Sequence, residues 1–176
     1  MPGVGKSTIA AGLAVMGYVT INMGDMVRKE AARRGIEPTG GNLGRLMLEL
    51  REKGGPGAIA ELIRPQIDAA GPGTAVIDGI RSNDEIEFLK GVGRVRILSI
   101  HASAGRRFGL LQGRGRPDDP REMRQLEERD ARELGVGIGT SIALADESLS
   151  NNGLTAEQLV DRAVSIIQGW EEEDAA

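Results

Sequence analysis

A chain of 176 residues has room for one domain with a single core, and with no cysteine it forms neither disulfides nor thiolate metal sites. Two Phe, one Tyr and one Trp make that core aliphatic, and a formal net charge of −4 argues against a general nucleic-acid binder. No stretch is apolar for long enough to span a membrane, and the polar, glycine-rich start carries no secretory signal, so a cytoplasmic protein is expected.

Residues Met1 to Thr8 read M-P-G-V-G-K-S-T. Gly5, Lys6 and Ser7 fill the last three places of the phosphate-binding pattern G-x-x-x-x-G-K-[ST]; its first glycine would fall one place ahead of Met1. Glycines let the backbone N–H groups of Gly3, Val4 and Gly5 turn inward around a phosphate, and the helix that follows adds its positive N-terminus at Thr8. On this reading the cofactor is ATP with Mg²⁺. Lys6 reaches the β- and γ-phosphates, and the Ser7 hydroxyl holds the metal. A chance glycine-lysine-serine turn is the plain alternative. Against it, Ile9, Leu13 and Met16 recur at helical spacing and Gly17 suits the end of a helix.

Strands and helices then alternate. Residues 18–22 predict a strand and 23–34 a helix closed by Gly35. The stretch 35–42 predicts a loop, and 43–52 and 58–70 helices split by Gly54-Gly55-Pro56-Gly57. A buried strand at 74–78 is followed by a capping box, Ser82 to Glu85, and a helix. Residues 95–101 predict a strand, 106–111 a short helix, 112–120 a basic loop and 121–134 a charged helix. Residues 148–151 predict a last short strand, and the capping box Thr155 to Gln158 opens an apolar-striped helix. The acidic end, Glu171 to Asp174, reads as a solvated, frayed tail. Such alternation predicts an α/β fold in three layers: a parallel sheet between helices, with ligands at the carboxyl ends of the strands.

Asp78 ends an apolar strand before Gly79, where P-loop enzymes carry a carboxylate on the Mg²⁺ side; an ordinary strand-to-turn Asp-Gly is the alternative. Gly24-Asp25-Met26-Val27-Arg28 and Asp78-Gly79-Ile80-Arg81 place one arginine shortly after each of two strands, and guanidinium pairs suit bidentate grip on a phosphate. Arg28, beside Lys29, Arg33 and Arg34, could equally be a solvated helix residue. Arg114 and Arg116 lie in the basic loop. Arg129 and Arg132 lie three apart on the charged helix, where Glu128 and Arg132 could be a plain surface pair. His101, the single histidine, reads as structural; Asn151-Asn152-Gly153 reads as a turn, with contact to a nucleotide base as the alternative.

These segments resemble the nucleoside monophosphate kinases, adenylate kinase in particular, although the Asp78 segment is one residue shorter than that family's. Over nearly its whole length the chain is similar to an uncharacterised archaeal family of small P-loop kinase-like proteins, themselves similar to adenylate kinase and dephospho-CoA kinase. Shared stretches are P-G-x-G-K-S, G-D-x-x-R, the N-L-G near Asn42, D-G-I-R-S, I-H-A-S, R-G-R-x-D-D and E-R-D-x-R-E-L-G-x-G-I-G. The resemblance implies a single kinase domain over 1–176, with an acceptor-binding helical segment at 24–70 and a lid at 112–120. It implies that Arg28 and Arg81 hold the phosphate of the acceptor and that Asp25 and Asp78 support Mg²⁺ through water. It also implies that Arg114 and Arg116, with Arg129 and Arg132, close over the transferred phosphoryl group.

The expected activity is an ATP-dependent phosphotransferase whose acceptor bears a phosphate, most simply a nucleoside monophosphate. A dephospho-CoA kinase-like metabolite kinase and a regulatory ATPase without an acceptor are the alternatives. A GTPase switch is disfavoured, because neither an aspartate-x-x-glycine after the metal strand nor an asparagine-lysine-x-aspartate is present. Partners are ATP and a small phosphorylated acceptor, with neither nucleic acid nor membrane, and the oligomeric state is open. A P-loop is normally led in by the central strand of its sheet. The reading therefore expects the first strand to be missing from this chain, with a β-rich apolar run in about ten residues upstream of Met1.

Overall fold

The computed structural model describes residues 1–176. Helix α1 (Lys6–Val15) leads into β1 (Val19–Asn22) and α2 (Met23–Arg33), followed by a helical arm of α3 (Gly40–Gly54), α4 (Ala58–Glu61) and α5 (Arg64–Ala70). Next come β2 (Ala75–Asp78), α6 (Asn83–Lys90), β3 (Leu98–His101) and α7 (Ala104–Arg114). The chain ends with α8 (Met123–Val136), α9 (Ile138–Ala143), β4 (Glu147–Ser150) and α10 (Ala156–Ala175). No helix is long and apolar enough to cross a membrane.

Local chemistry sets the helix starts. Thr155 and Gln158 exchange side-chain and backbone bonds of 3.0 and 3.2 Å, the full capping box expected there; at Ser82 only half of the box forms, with Ser82 Oγ accepting from Glu85 N at 3.3 Å while the Glu85 carboxylate turns to Arg81 N and Arg51. Asn22, Thr39 and Ser103 cap α2, α3 and α7 in the same way. The helix expected over 58–70 is broken at Leu62–Ile63, because Pro65 in the first turn of α5 has no N–H to give. The strand expected from 95 begins only at Leu98. The Ser103 cap starts α7 early and it runs to Arg114, which shortens the predicted lid loop at its front. The acidic end is not frayed. It is the last turns of α10, where Glu171 accepts from Tyr18 Oη at 2.8 Å and Arg96 donates to Glu173 and Asp174, each at 3.0 Å.

β1 pairs in parallel with β2, with Asn22 opposite Asp78, and β3 pairs in parallel with β4, with His101 opposite Ser150. No ladder joins β2 to β3, so the strands form two two-stranded parallel sheets. Two separate apolar cores follow the same division. One gathers Ile21, Met23, Val27, Leu46, Ile59 and Ile63 around β1 and the helical arm. The other gathers Val4, Ile9, Leu13, Ile100, Leu149 and Leu159 around α1, β3, β4 and α10. Between them β2 and β3 both line two cavities, of about 590 and 210 Å³. The carboxyl ends of β1, β2 and β4 converge on the loop ahead of α1, and the candidate site lies there.

Candidate functional site

The first five residues are shaped by two left-handed glycines, Gly3 (φ 76°) and Gly5 (φ 100°). A Cβ on Gly5 would stand 2.7 Å from Leu159 Cδ2 and 2.8 Å from Asn151 Nδ2, so side chains are excluded by space as well as by backbone angle. Between the glycines Val4 is buried in the second core and pins the loop. Three carbonyls of the loop accept bonds from three elements. Lys6 Nζ donates to Met1 O at 2.9 Å, Arg107 Nη1 of α7 to Pro2 O at 3.3 Å, and Asn151 Nδ2, just past β4, to Val4 O at 2.9 Å. With the carbonyls bound outward, the N–H groups of Gly3 to Ser7 donate to no backbone carbonyl and are free for an anion.

Lys6, Ser7 and Asp78 line one cleft with Gly3 and Gly5, while Val4 and Thr8 lie behind it. Burial pushes the Lys6 ammonium below its ordinary pKa, and the Asp78 and Glu133 carboxylates oppose that shift. Asn22 joins the two strand ends: its Oδ1 accepts from Asp25 N at 3.0 Å and its Nδ2 donates to Asp78 Oδ2 at 2.8 Å. The other oxygen, Asp78 Oδ1, is buried without a partner. An orphaned carboxylate oxygen in the same cleft as the Ser7 hydroxyl fits a hard divalent cation or a water held by one. No cluster of three or more acidic or histidine side chains could hold a metal by itself, so phosphate oxygens and water would have to complete the shell.

Arg28, Arg81, Arg114, Arg116 and Arg129 line the same cleft. Most are already engaged by acids. Asp118, 7% exposed, accepts from Arg28 Nη2 at 3.0 Å and lies 3.8 Å from Arg129 Nη1. Asp119 binds Arg114 through both oxygens and accepts from Arg116 N at 2.9 Å. Glu133 stands 3.5 Å from both Arg81 Nε and Arg129 Nε. Burial alone would raise the carboxyl pKa of Glu133, yet Arg81, Arg129 and Lys6 outweigh it and hold the group below the usual range. Asp119 is likewise raised by burial and brought below its ordinary value by Arg114 and the Arg116 amide. Only Lys6, Arg116 and Arg132 among the nominated cations have no carboxylate within 4.0 Å.

A second cleft adjoins the first and shares Gly24, Arg28, Arg81, Arg129 and Glu133 with it. Its far wall is α3 with Leu43, Met47 and Arg51. Arg51 is locked by an ion pair of 2.5 Å to the fully buried Glu85, which also accepts from Arg81 N at 2.7 Å. Arg132 lines only this second cleft and crosses Gly44, where a Cβ would stand 3.2 Å from its Nε; this gives the glycine of N-L-G a packing reason. Asp25 lies outside both clefts. It receives Arg28 Nη1 at 2.8 Å and faces a side groove with Asn22 and Asp78. His101 is exposed, and its carbonyl accepts from Asn151 N at 2.7 Å.

Four residues that sequence reasoning passed over belong to this site. Asn151 holds the P-loop where a plain turn was expected. Buried Arg107 ties Pro2 to Asp130 of α8 through bonds of 2.8 and 2.5 Å, and Glu133 separates two arginines. Their one sequence signal is chemical: Arg107 and Glu133 are charged residues at positions that helical spacing turns inward.

Known proteins match this arrangement. Residues 1–123 match the AAA domain family AAA_17, a P-loop family. A UPF0200 protein of Hyperthermus butylicus is 44% identical over 151 residues, 86% of this chain and 81% of that protein. Another from Thermococcus kodakarensis is 39% identical over 176 residues, 94% and 95% of the two chains. A third, from Methanosarcina barkeri, is 42% identical over 172 residues, 97% and 92%. The chain therefore belongs to the AAA_17 family of P-loop nucleotide-binding domains and to the archaeal UPF0200 proteins.

Proposed function

We propose that the protein is an ATP-dependent phosphotransferase acting on a small phosphate-bearing acceptor, in the first instance a nucleoside monophosphate. The observation that carries this reading is the shared wall of the two clefts: a phosphate on the P-loop and a phosphate on Arg28 would meet at Arg81, Arg129 and Glu133. In this reading the N–H groups of Gly3 to Ser7 and the Lys6 ammonium cradle the β- and γ-phosphates. Ser7 and Asp78 would hold Mg²⁺, which would neutralise charge on the transferred phosphoryl group. Arg28 and Arg81 grip the acceptor phosphate, with Asp25 steadying Arg28. Arg114, Arg116, Arg129 and Arg132 stabilise the charge that spreads over the moving group, and the Gly115–Glu122 loop closes to keep water out. In this reading the layout resembles that of the nucleoside monophosphate kinases.

The test is a phosphoryl-transfer screen. Purified protein with Mg·ATP is offered a panel of nucleoside monophosphates and dephospho-CoA, with hydrolysis followed in parallel. Transfer to a monophosphate that exceeds hydrolysis is the expected result. Hydrolysis with no transfer to any acceptor would turn the reading to a regulatory ATPase.

A further inference from the structure

We propose, resting on the kinase reading in which the second cleft takes the acceptor, that this acceptor is a compact bis-anion. It is a phosphate ester that carries another phosphate or a carboxylate a few atoms away, and Arg132 receives the second charge.

The second cleft is a trough between two helix faces. Gly40, Leu43, Gly44, Met47, Leu48 and Arg51 form one stripe of α3, and Arg129, Arg132, Glu133 and Val136 one stripe of α8. Gly40 marks the phosphate end. A Cβ there would stand 3.3 Å from Asp118 O, and Asp118 is the acid that holds Arg28 and stands 3.8 Å from Arg129 Nη1. Gly44 lies one turn further along α3, about 6 Å of helix rise. There Arg132 crosses from α8, its Nε, Cδ and Cζ standing 3.2, 3.6 and 3.8 Å from where a Cβ would lie. The bare glycine gives the arginine a seat, so two cation positions are set one turn apart. That spacing suits two charges on one small molecule.

Arg132 is also the cleft's one uncommitted arginine. Arg28 has Asp118, Arg51 has Glu85 at 2.5 Å, and Arg81 and Arg129 share Glu133, which stands 3.5 Å from each Nε. Arg132 has no carboxylate within 4.0 Å. It lines only the second cleft, so among the arginines around the moving phosphoryl group it is the one on the acceptor's side. A seated guanidinium without a counter-charge is ready for a phosphate or carboxylate, which it meets with two parallel N–H bonds.

The rest of the lining selects for charge in the same way. No serine, threonine, tyrosine, histidine, asparagine or glutamine lines this cleft. Reading the edge of a neutral base takes donors and acceptors together, whereas this wall offers arginine N–H groups and carboxylates already committed to them. What lies beyond the first phosphate is therefore matched by negative charge, and Leu43, Met47 and Leu48 cover the body of the molecule.

The experiment titrates matched pairs of probes into the full chain without ATP: adenosine 5′-monophosphate against adenosine 3′,5′-bisphosphate, and glycerol 3-phosphate against 3-phosphoglycerate. The first pair adds a phosphate and the second a carboxylate, so the two pairs tell the sources of the second charge apart. In at least one pair the bis-anion should bind about tenfold tighter or more, and the advantage should shrink as salt rises. Arg132→Gln should bring that ratio to within about threefold, with Arg132→Lys, which keeps the charge and loses the planar fork, in between. A purely structural role would weaken both members of a pair alike and leave the ratio where it was, which overturns the proposal. So does a ratio below about threefold in both pairs with the unaltered chain. Transfer from Mg·ATP is then assayed with the same four probes. Arg132-dependent binding of a bis-anion without transfer upholds the site and sinks the kinase reading. Transfer to a monophosphate with no preference for a second charge does the reverse.

Discussion

Around the P-loop, neutral carbonyls are bound by Lys6, Arg107 and Asn151 from three separate elements. A few ångströms away, in the arginine-lined clefts, charge is bound by charge: Asp118, Asp119 and Glu133 sit among Arg28, Arg81, Arg114 and Arg129. The first region holds its shape without a ligand, because backbone geometry makes the cradle and the N–H groups of Gly3 to Ser7 have no backbone acceptor. The second holds counter-charges where the proposed function puts phosphates, and carboxylates in those places must yield before phosphates can enter. One region is a preformed mould and the other an exchange of partners.

The strongest way to break this comparison is Lys6→Ala. If the preformed cradle carries the chemistry, kcat/KM falls at least a hundredfold, corresponding to roughly 3–4 kcal/mol of transition-state stabilisation. Unchanged turnover in a variant whose circular dichroism is native would remove the P-loop from the mechanism. Arg28→Ala should come next. Losing a charge-assisted phosphate contact is worth about 1.5–3 kcal/mol, so acceptor KM should rise roughly ten- to hundredfold while ATP affinity stays within about twofold. Equal loss of both ligands would show that the two clefts do not divide the work between donor and acceptor.

How much of each region could be read from the chain follows from the same contrast. The P-loop is local: Gly3, Gly5, Lys6 and Ser7 lie within five residues, and the backbone angles that they need are written in the glycines. Ser82 to Glu85 and Thr155 to Gln158 were legible for the same reason, since a cap closes within one turn. Asn151 was not, because its partner Val4 is 147 residues away and an Asn-Asn-Gly run looks like any turn. Arg107 and Asp130, 23 residues apart, are joined only by the packing of α7 on α8. The acidic tail is solvated as read, and only its order was hidden: Tyr18 and Arg96 reach Glu171, Glu173 and Asp174 from more than 70 residues away.

Asn151→Ala sharpens the P-loop half of the comparison. It leaves the Val4 carbonyl without its buried donor, at a cost of about 1–3 kcal/mol, and should lower the thermal midpoint by several degrees and weaken ATP roughly fivefold. Asn151→Asp should rescue neither, because an ionised carboxylate has no hydrogen to donate.

The effect with the opposite sign carries the most information about the clefts. Asp118 is almost isosteric with Asn, so Asp118→Asn removes the charge that holds Arg28 and Arg129 with little change of shape. Arg28 keeps contact with solvent, its side chain being 26% exposed, and with Asp25, so the variant should fold with a loss of about 1 kcal/mol or so in denaturant titration. An incoming phosphate no longer has to displace a carboxylate, so acceptor KM should fall about three- to tenfold, with ATP affinity nearly unchanged. A rise in acceptor KM would mean that Asp118 aims Arg28 at the acceptor instead of occupying it. The arginine clefts would then be as preformed as the P-loop, and the contrast between the two regions would disappear.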